Sequence, residues 1–181
     1  MPYQTSRQPN YFSDIEYGKI AEKDFESIFI SSCRVEGYTV HDVRLIKEYQ
    51  HADTDYVVDK AGGLSTPTLD EAVSNRSRYA LIEVKLDSRA LSTGNLPYEV
   101  VSHGSSGWCV TTRADHVWFV LTPMDGTVIS RRAWVDMNMW HRYCADRSQP
   151  KRINYIQSEN GIVDLLCPMT ELERYGALKW I

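Results

Sequence analysis

The chain has 181 residues, 43% of them hydrophobic and 24% charged, with a formal net charge of -4. That length suits one domain with a substantial core, and the composition excludes general disorder. No apolar run approaches the ~18 residues that span a bilayer, and the first residues lack a secretory apolar stretch, so the expectation is a soluble cytoplasmic protein without a membrane partner.

Residues 1–14 show little periodicity and read as an arm. From about Ile15 to Ser32, Ala21, Phe25, Ile28 and Phe29 recur at helical spacing, and Gly37 marks a break. Tyr38 to Ile46 and Asp53 to Asp59 read as strands. Residues 60–78 form a connection holding a short helix, with Thr66 as N-cap, Pro67 as first helical residue and Asp70 and Glu71 in the first turns. Tyr79 to Leu86 is a third strand. The glycine-rich segment 87–107 allows a short strand at PYEVV, and His116 to Leu121, apolar on both faces, has the character of a central strand. Ser130 is expected to cap a helix whose stripe is Ala133, Met137, Trp140 and Cys144. Asn160-Gly161 suggests a hairpin, and Thr170 with Glu173 a capping box for a last helix. The order predicts α/β architecture: a central mixed β-sheet flanked by helices, in one domain with a core at about 15–125 and a helix-hairpin-helix extension at about 126–181.

Cys33, Cys109, Cys144 and Cys167 are scattered with no CxxC pair, which argues for ordinary, mostly buried thiols. Charge is segregated. Residues 131–152 hold Arg131, Arg132, Arg142, Arg147, Lys151 and Arg152 against Asp136 and Asp146, a local +4 that leaves -8 elsewhere. The six basic residues are the candidate DNA contacts, since phosphate binding wants positive charge.

The chemistry concentrates in Asp53-Thr54-Asp55 and Ile82-Glu83-Val84-Lys85. Side chains alternate along a strand, so Glu83 and Lys85 share one face of the third strand, as Asp53 and Asp55 share one of the second. If those strands are neighbours, two carboxylates and one amine converge. Paired carboxylates repel unless a cation neutralises them, and hard oxygen ligands suit Mg²⁺, with Mn²⁺ as substitute. Metal-assisted hydrolysis of a phosphodiester needs that set, with Lys85 placed to orient water.

Asp, then Glu-x-Lys on the next strand, resembles the PD-(D/E)XK nuclease superfamily. Several members, archaeal Holliday-junction resolvases among them, begin with a helix bearing Gly-x-x-x-Glu, and this chain has Gly18 and Glu22 in that spacing. The segment TGNLPYEV (93–100) ahead of WCVTTRAD (108–115) is similar to phage-type members. The resemblance covers residues 18–86. It implies a restriction-endonuclease-like core and a Mg²⁺-dependent DNA endonuclease of restriction-like, homing or phage recombination type. Asp55 and Glu83 would be metal ligands, Glu22 would assist them and Lys85 would position water. Neither Thr54 nor Ala52 is the proline of the family motif, so Asp53 stays open beside Asp55 as the ligand. Asn95 and Glu99 follow the motif strand and could project near the same site. Cutting a duplex calls for two active sites, hence a homodimer or higher homo-oligomer acting on double-stranded DNA, in the host cytoplasm if the protein is phage-encoded. The alternative is a non-catalytic nucleic-acid-binding or assembly protein on the same fold.

Overall fold

A computed structural model describes residues 11–123, 128–146, 154–158 and 161–181. In chain order its elements are α1 (Tyr11–Phe25), a π-helical turn (Glu26–Ile30), α2 (Ser31–Val35), β1 (Thr39–Asp42), α3 (Lys47–Gln50), β2 (Tyr56–Asp59), α4 (Leu69–Ser74), β3 (Tyr79–Asp87), α5 (Ala90–Thr93), β4 (Asn95–Ser102), β5 (Ser105–Ser106), α6 (Trp108–Thr111), β6 (His116–Leu121), β7 (Arg131–Asp136), α7 (Met137–Ala145), β8 (Asn154–Gln157), β9 (Val163–Pro168), α8 (Met169–Tyr175) and β10 (Leu178–Trp180). A six-stranded sheet has the order β1-β2-β3-β6-β7-β10, and a four-stranded sheet the order β5-β4-β9-β8. In the larger sheet β3 and β6 run parallel and the other neighbours antiparallel. The chain is thus mixed α/β, a mixed central sheet flanked by helices. No described helix is long and apolar enough to cross a membrane.

Strand alternation divides the core. Ile82 and Val84 of β3, Tyr56 and Val58 of β2 and Trp118 and Val120 of β6 point to one face, where Ala21 and Phe25 of α1 cover them. On the other face Leu81 packs with Val57, Tyr49 and Ala72, while Val117 and Phe119 pack with α7, α8 and Leu96 of β4. Glu83 and Lys85 lie in register with Val117 and Phe119. Their positions fall on this second face, at the seam between two apolar clusters. A buried ion pair ties α1 to β7: the Asp24 carboxylate accepts from Arg132 Nε and Nη2, the latter at 2.6 Å, and from Trp118 Nε1 at 3.3 Å.

Several expected boundaries move. The helix expected from Ser130 is preceded by a strand: Arg131–Asp136 pairs with both β6 and β10, and the helix starts at Met137, capped by the Asp136 carboxylate on Met139 N. Buried Ala133 and Val135 alternate with half-buried Trp134, a period-two pattern that also fits a helical stripe over so few residues. The segment from Arg131 onward therefore supplies strands to both sheets. The short helix in 60–78 begins two residues later than expected, at Leu69, because Thr68 forms the reciprocal capping box with Glu71. The last helix begins after Pro168 and has no side-chain cap, so Thr170 and Glu173 form no capping box. The second strand starts only at Tyr56, and Asp53 takes a left-handed φ of +46° before it, so Asp53 and Asp55 do not share a strand face. The β8–β9 hairpin lies where Asn160-Gly161 suggested, with residue 160 itself outside the described residues.

Candidate active site

The site forms where β2 begins. Tyr56 is the last residue of β2 paired in the ladder to β3, opposite Ile82. One step back, Asp55 stands opposite Glu83. Asp55 N still donates to Ile82 O at 2.9 Å, but the return bond is made by a side chain: Val84 N donates to Asp55 Oδ2 at 2.8 Å. A carboxylate thus replaces a main-chain carbonyl, which pins the Asp55 side chain against β3 beside Glu83. The two carboxyl groups stand near enough that the charge of Asp55 acts on Glu83. Lys85 Nζ lies 2.5 Å from Glu83 Oε1, with Glu83 buried and the Lys85 side chain 33% exposed. The ammonium also sits 5.0 Å above the Trp108 ring.

The electrostatics follow from burial and crowding. Burial raises the Asp55 carboxyl above its usual range, against the Val84 N–H and the Lys85 charge, which pull it down. Burial likewise pushes Glu83 up to about 8, opposed by Lys85 and reinforced by the Asp55 charge. Burial pulls the Lys85 ammonium down, but Glu83, Asp55 and Asp53 outweigh it and raise it. Asp55 and Glu83 therefore titrate as a unit that retains a proton at neutral pH, beside a charged lysine.

Short helix α6 borders this site from the side of β4. Trp108 N donates to Glu99 Oε1 at 3.1 Å, and Thr111 Oγ1 donates to Asp53 Oδ2 at 3.3 Å. Gly107 lets the segment approach, since a Cβ there would lie 2.5 Å from the Glu99 carbonyl oxygen. Glu99 faces Asp164 across the β4–β9 pair and its charge is felt at Asp53. Glu99 and Asp53 thus border the site, with Asp53 held by Thr111. Asn95 is engaged in its own turn, its amide donating to Thr93 O at 2.7 Å.

Glu22 arrives from α1 on the opposite face. Its carboxylate is bound by Arg44 Nη1. Arg44 Nη2 also binds Glu26 Oε1 at 2.9 Å and Asp42 Oδ2 at 2.5 Å, and the guanidinium lies 4.9 Å from the Tyr56 ring centre. Burial raises the Glu22 carboxyl, Arg44 lowers it and the charge of Asp55 raises it again, so Glu22 and Asp55 sense each other around the end of β2. Among the described residues no three His, Cys, Asp or Glu side chains converge closely enough to hold a metal ion. The donor set of Asp55 and Glu83 is nonetheless chemically suited to a hard divalent cation: a half-buried and a buried carboxylate, side by side, retain a proton that a cation could replace.

The basic candidates disperse. Arg132 is the internal counter-ion of Asp24, Arg131 lies 3.7 Å over the Trp180 ring, and Arg142 is exposed on α7. Arg147, Lys151 and Arg152 lie outside the described residues. His141 Nδ1 meets the Tyr98 hydroxyl at 2.5 Å and Cys144 Sγ lies 3.8 Å from Cys167 Sγ, so these two helix neighbours turn to different partners. Sequence reasoning missed Arg44 and Trp108. Arg44 stood inside a stretch read as strand, and nothing local marks it as the partner of a helix glutamate 22 residues earlier. Gly107 before an aromatic is the one sign that a close approach occurs at Trp108. No family model, curated protein or solved structure matches this chain, so the likeness to the PD-(D/E)XK superfamily rests on the residues named above.

Proposed function

We propose that the chain is a divalent-cation-dependent deoxyribonuclease of the PD-(D/E)XK type. The observation that supports this reading is the meeting of Asp55, Glu83 and Lys85 where β2 begins against β3, with Asp55 pinned opposite Glu83 and the amine 2.5 Å from Glu83. Asp55 and Glu83 would hold the cation, in place of the proton that they otherwise retain. Asp55 is preferred to Asp53 because its carboxylate is pinned opposite Glu83, whereas Asp53 is tied to Thr111. Mg²⁺ or Mn²⁺ bound there would stabilise the negative charge that develops on a phosphodiester undergoing hydrolysis. Lys85, one-third exposed and steadied by the Trp108 ring, presents N–H donors to a water or a phosphate oxygen at the mouth of the site. Cleavage of both strands of a duplex would use two copies of the chain.

The test incubates supercoiled plasmid, linear duplex and single-stranded DNA with the protein in Mg²⁺ or Mn²⁺, with and without chelator. Lys85→Ala should lose about a hundredfold or more in rate, the scale for removing one donor at developing charge. Cleavage that persists in chelator, or that Lys85→Ala leaves intact, refutes the proposal. DNA binding without cleavage of any substrate would favour the non-catalytic reading, to which the pairing of Lys85 with Glu83 and of Arg44 with Glu22 lends support.

A further inference from the structure

One guanidinium, that of Arg44, is surrounded by three carboxylates. Nε and Nη2 bind Asp42, Nη2 binds Glu26 and Nη1 binds Glu22. Glu26 has a further partner, since Tyr56 Oη donates to the same oxygen that Arg44 holds, at 2.9 Å. Asp42 takes Arg44 through both oxygens and also accepts from the Arg44 backbone N–H at 3.2 Å. Glu22 is the least tied of the three and the one whose charge is coupled to Asp55. Three acids around one cation leave two negative charges in excess at the end of β2, beside the Asp55–Glu83 pair.

We infer that Arg44 is a clamp that holds Glu22 back from Asp55 and Glu83, and that Glu22 leaves Arg44 to become the third carboxylate when a divalent cation binds. This rests on the proposed cation site. The clamp accounts for why no three carboxylates converge among the described residues, because Glu22 is held by the guanidinium. Exchange requires the loss of one contact only. Arg44 keeps Asp42, Glu26 and the Tyr56 ring, so its charge remains compensated after Glu22 departs. Arg44 is thus a positioning residue that sets affinity for the cation without touching it.

The test is Mn²⁺ alone, titrated by calorimetry against the wild type, Arg44→Gln, Arg44→Lys, Glu22→Gln, the Glu22→Gln/Arg44→Gln double variant and Asp55→Asn. Removing the clamp with Arg44→Gln should tighten Mn²⁺ about tenfold, within the range for residues that orient a ligand from behind. In the Glu22→Gln background the same change should gain no more than about threefold, the part due to charge alone. Arg44→Lys keeps the charge but cannot bridge three carboxylates, so it should also tighten binding. Equal gains with and without Glu22, or no gain in Arg44→Lys, overturn the clamp. Asp55→Asn separates the two claims: if it binds Mn²⁺ as the wild type does, the cation site itself fails. If it abolishes binding while the Arg44 and Glu22 effects simply add, the site stands and the clamp fails. Absence of Mn²⁺ binding to the wild type refutes both.

Discussion

Glu83 makes the stability of the fold decrease as pH rises, opposite to the usual behaviour of an acidic residue in an ion pair. Its carboxyl is raised from 4.5 to about 8 in the folded state. Between those values the unfolded chain has released a proton that the folded one retains. The stabilisation is therefore complete below pH 4.5 and is lost as pH climbs through 8. One retained proton costs at most about 1.4 kcal/mol per pH unit, so the interval from pH 5 to pH 8 spans about 4 kcal/mol. For a chain of this size that corresponds to a melting temperature lower by roughly 10 °C.

Glu83→Gln isolates the effect. Burial holds His116 and His141 below their ordinary range, so their charging destabilises the fold at acid pH and bends the curve the other way. They do so equally in both proteins. Thermal melts in chelator should show wild type and variant nearly equal at pH 5, with the variant more stable by several degrees at pH 8. On the proposed function, adding Mn²⁺ at pH 8 should recover the wild type and leave the variant much less changed, because the cation would take the place of the proton. Parallel stability curves for the two proteins from pH 5 to pH 8 would refute the reasoning, since they would mean that Glu83 holds no proton that folding protects.

Two further substitutions test how the site is supported. Gly107→Ala places a methyl 2.5 Å from the Glu99 carbonyl oxygen and 2.7 Å from its carbon, both backbone atoms that cannot step aside. It should cost about 1–3 kcal/mol in urea unfolding and displace α6, seen as altered Trp fluorescence, and a fully stable variant would show that the approach is looser. Arg132→Ala leaves the Asp24 carboxylate, 4% exposed, with the Trp118 N–H and no guanidinium. Breaking a buried pair in this way should cost about 3 kcal/mol in urea unfolding at pH 7, and a loss of less than about 1 kcal/mol would contradict the assignment.

The parts of this molecule legible in its sequence are those governed by local pattern. Apolar residues on both faces of His116–Leu121 and of the middle of Tyr79–Leu86 mark strands covered from both sides, and Glu83 and Lys85 share a face by geometry alone. That Asp55 would stand opposite Glu83 required the β2–β3 pairing, which the intervening 60–78 connection conceals. Arg131–Asp136 escaped because six residues can satisfy a period of two or of 3.6, and only pairing with β6 and β10 decides between them. Thr68 and not Thr66 became the cap because Thr68 has Glu71 three residues on and Thr66 has no acid there. Arg44 was out of reach for a different reason: its partners lie on α1, the π-helical turn and β1, so its role exists only after the sheet edge has formed.

The same crowding of acids constrains how an anionic substrate could approach. Glu22, Asp42, Asp53, Asp55, Glu83 and Glu99 all lie at or beside the end of β2, and against them stand Lys85 and Arg44, each already paired. A phosphate arriving at the uncompensated cluster meets net repulsion in a setting of low dielectric, where a like charge at 4 Å costs about 4 kcal/mol at an effective dielectric constant of ~20. A divalent cation reverses that sign locally, so on the proposed function it must precede the nucleic acid. Fluorescence anisotropy with a labelled duplex should then show binding in Ca²⁺, a hard cation of the same charge, that weakens at least tenfold in chelator. Asp55→Asn/Glu83→Gln, which removes the two carboxylates, should bind equally well in both conditions. Wild-type affinity that ignores the cation would place the duplex on a surface remote from β2 and disconnect the cluster from DNA.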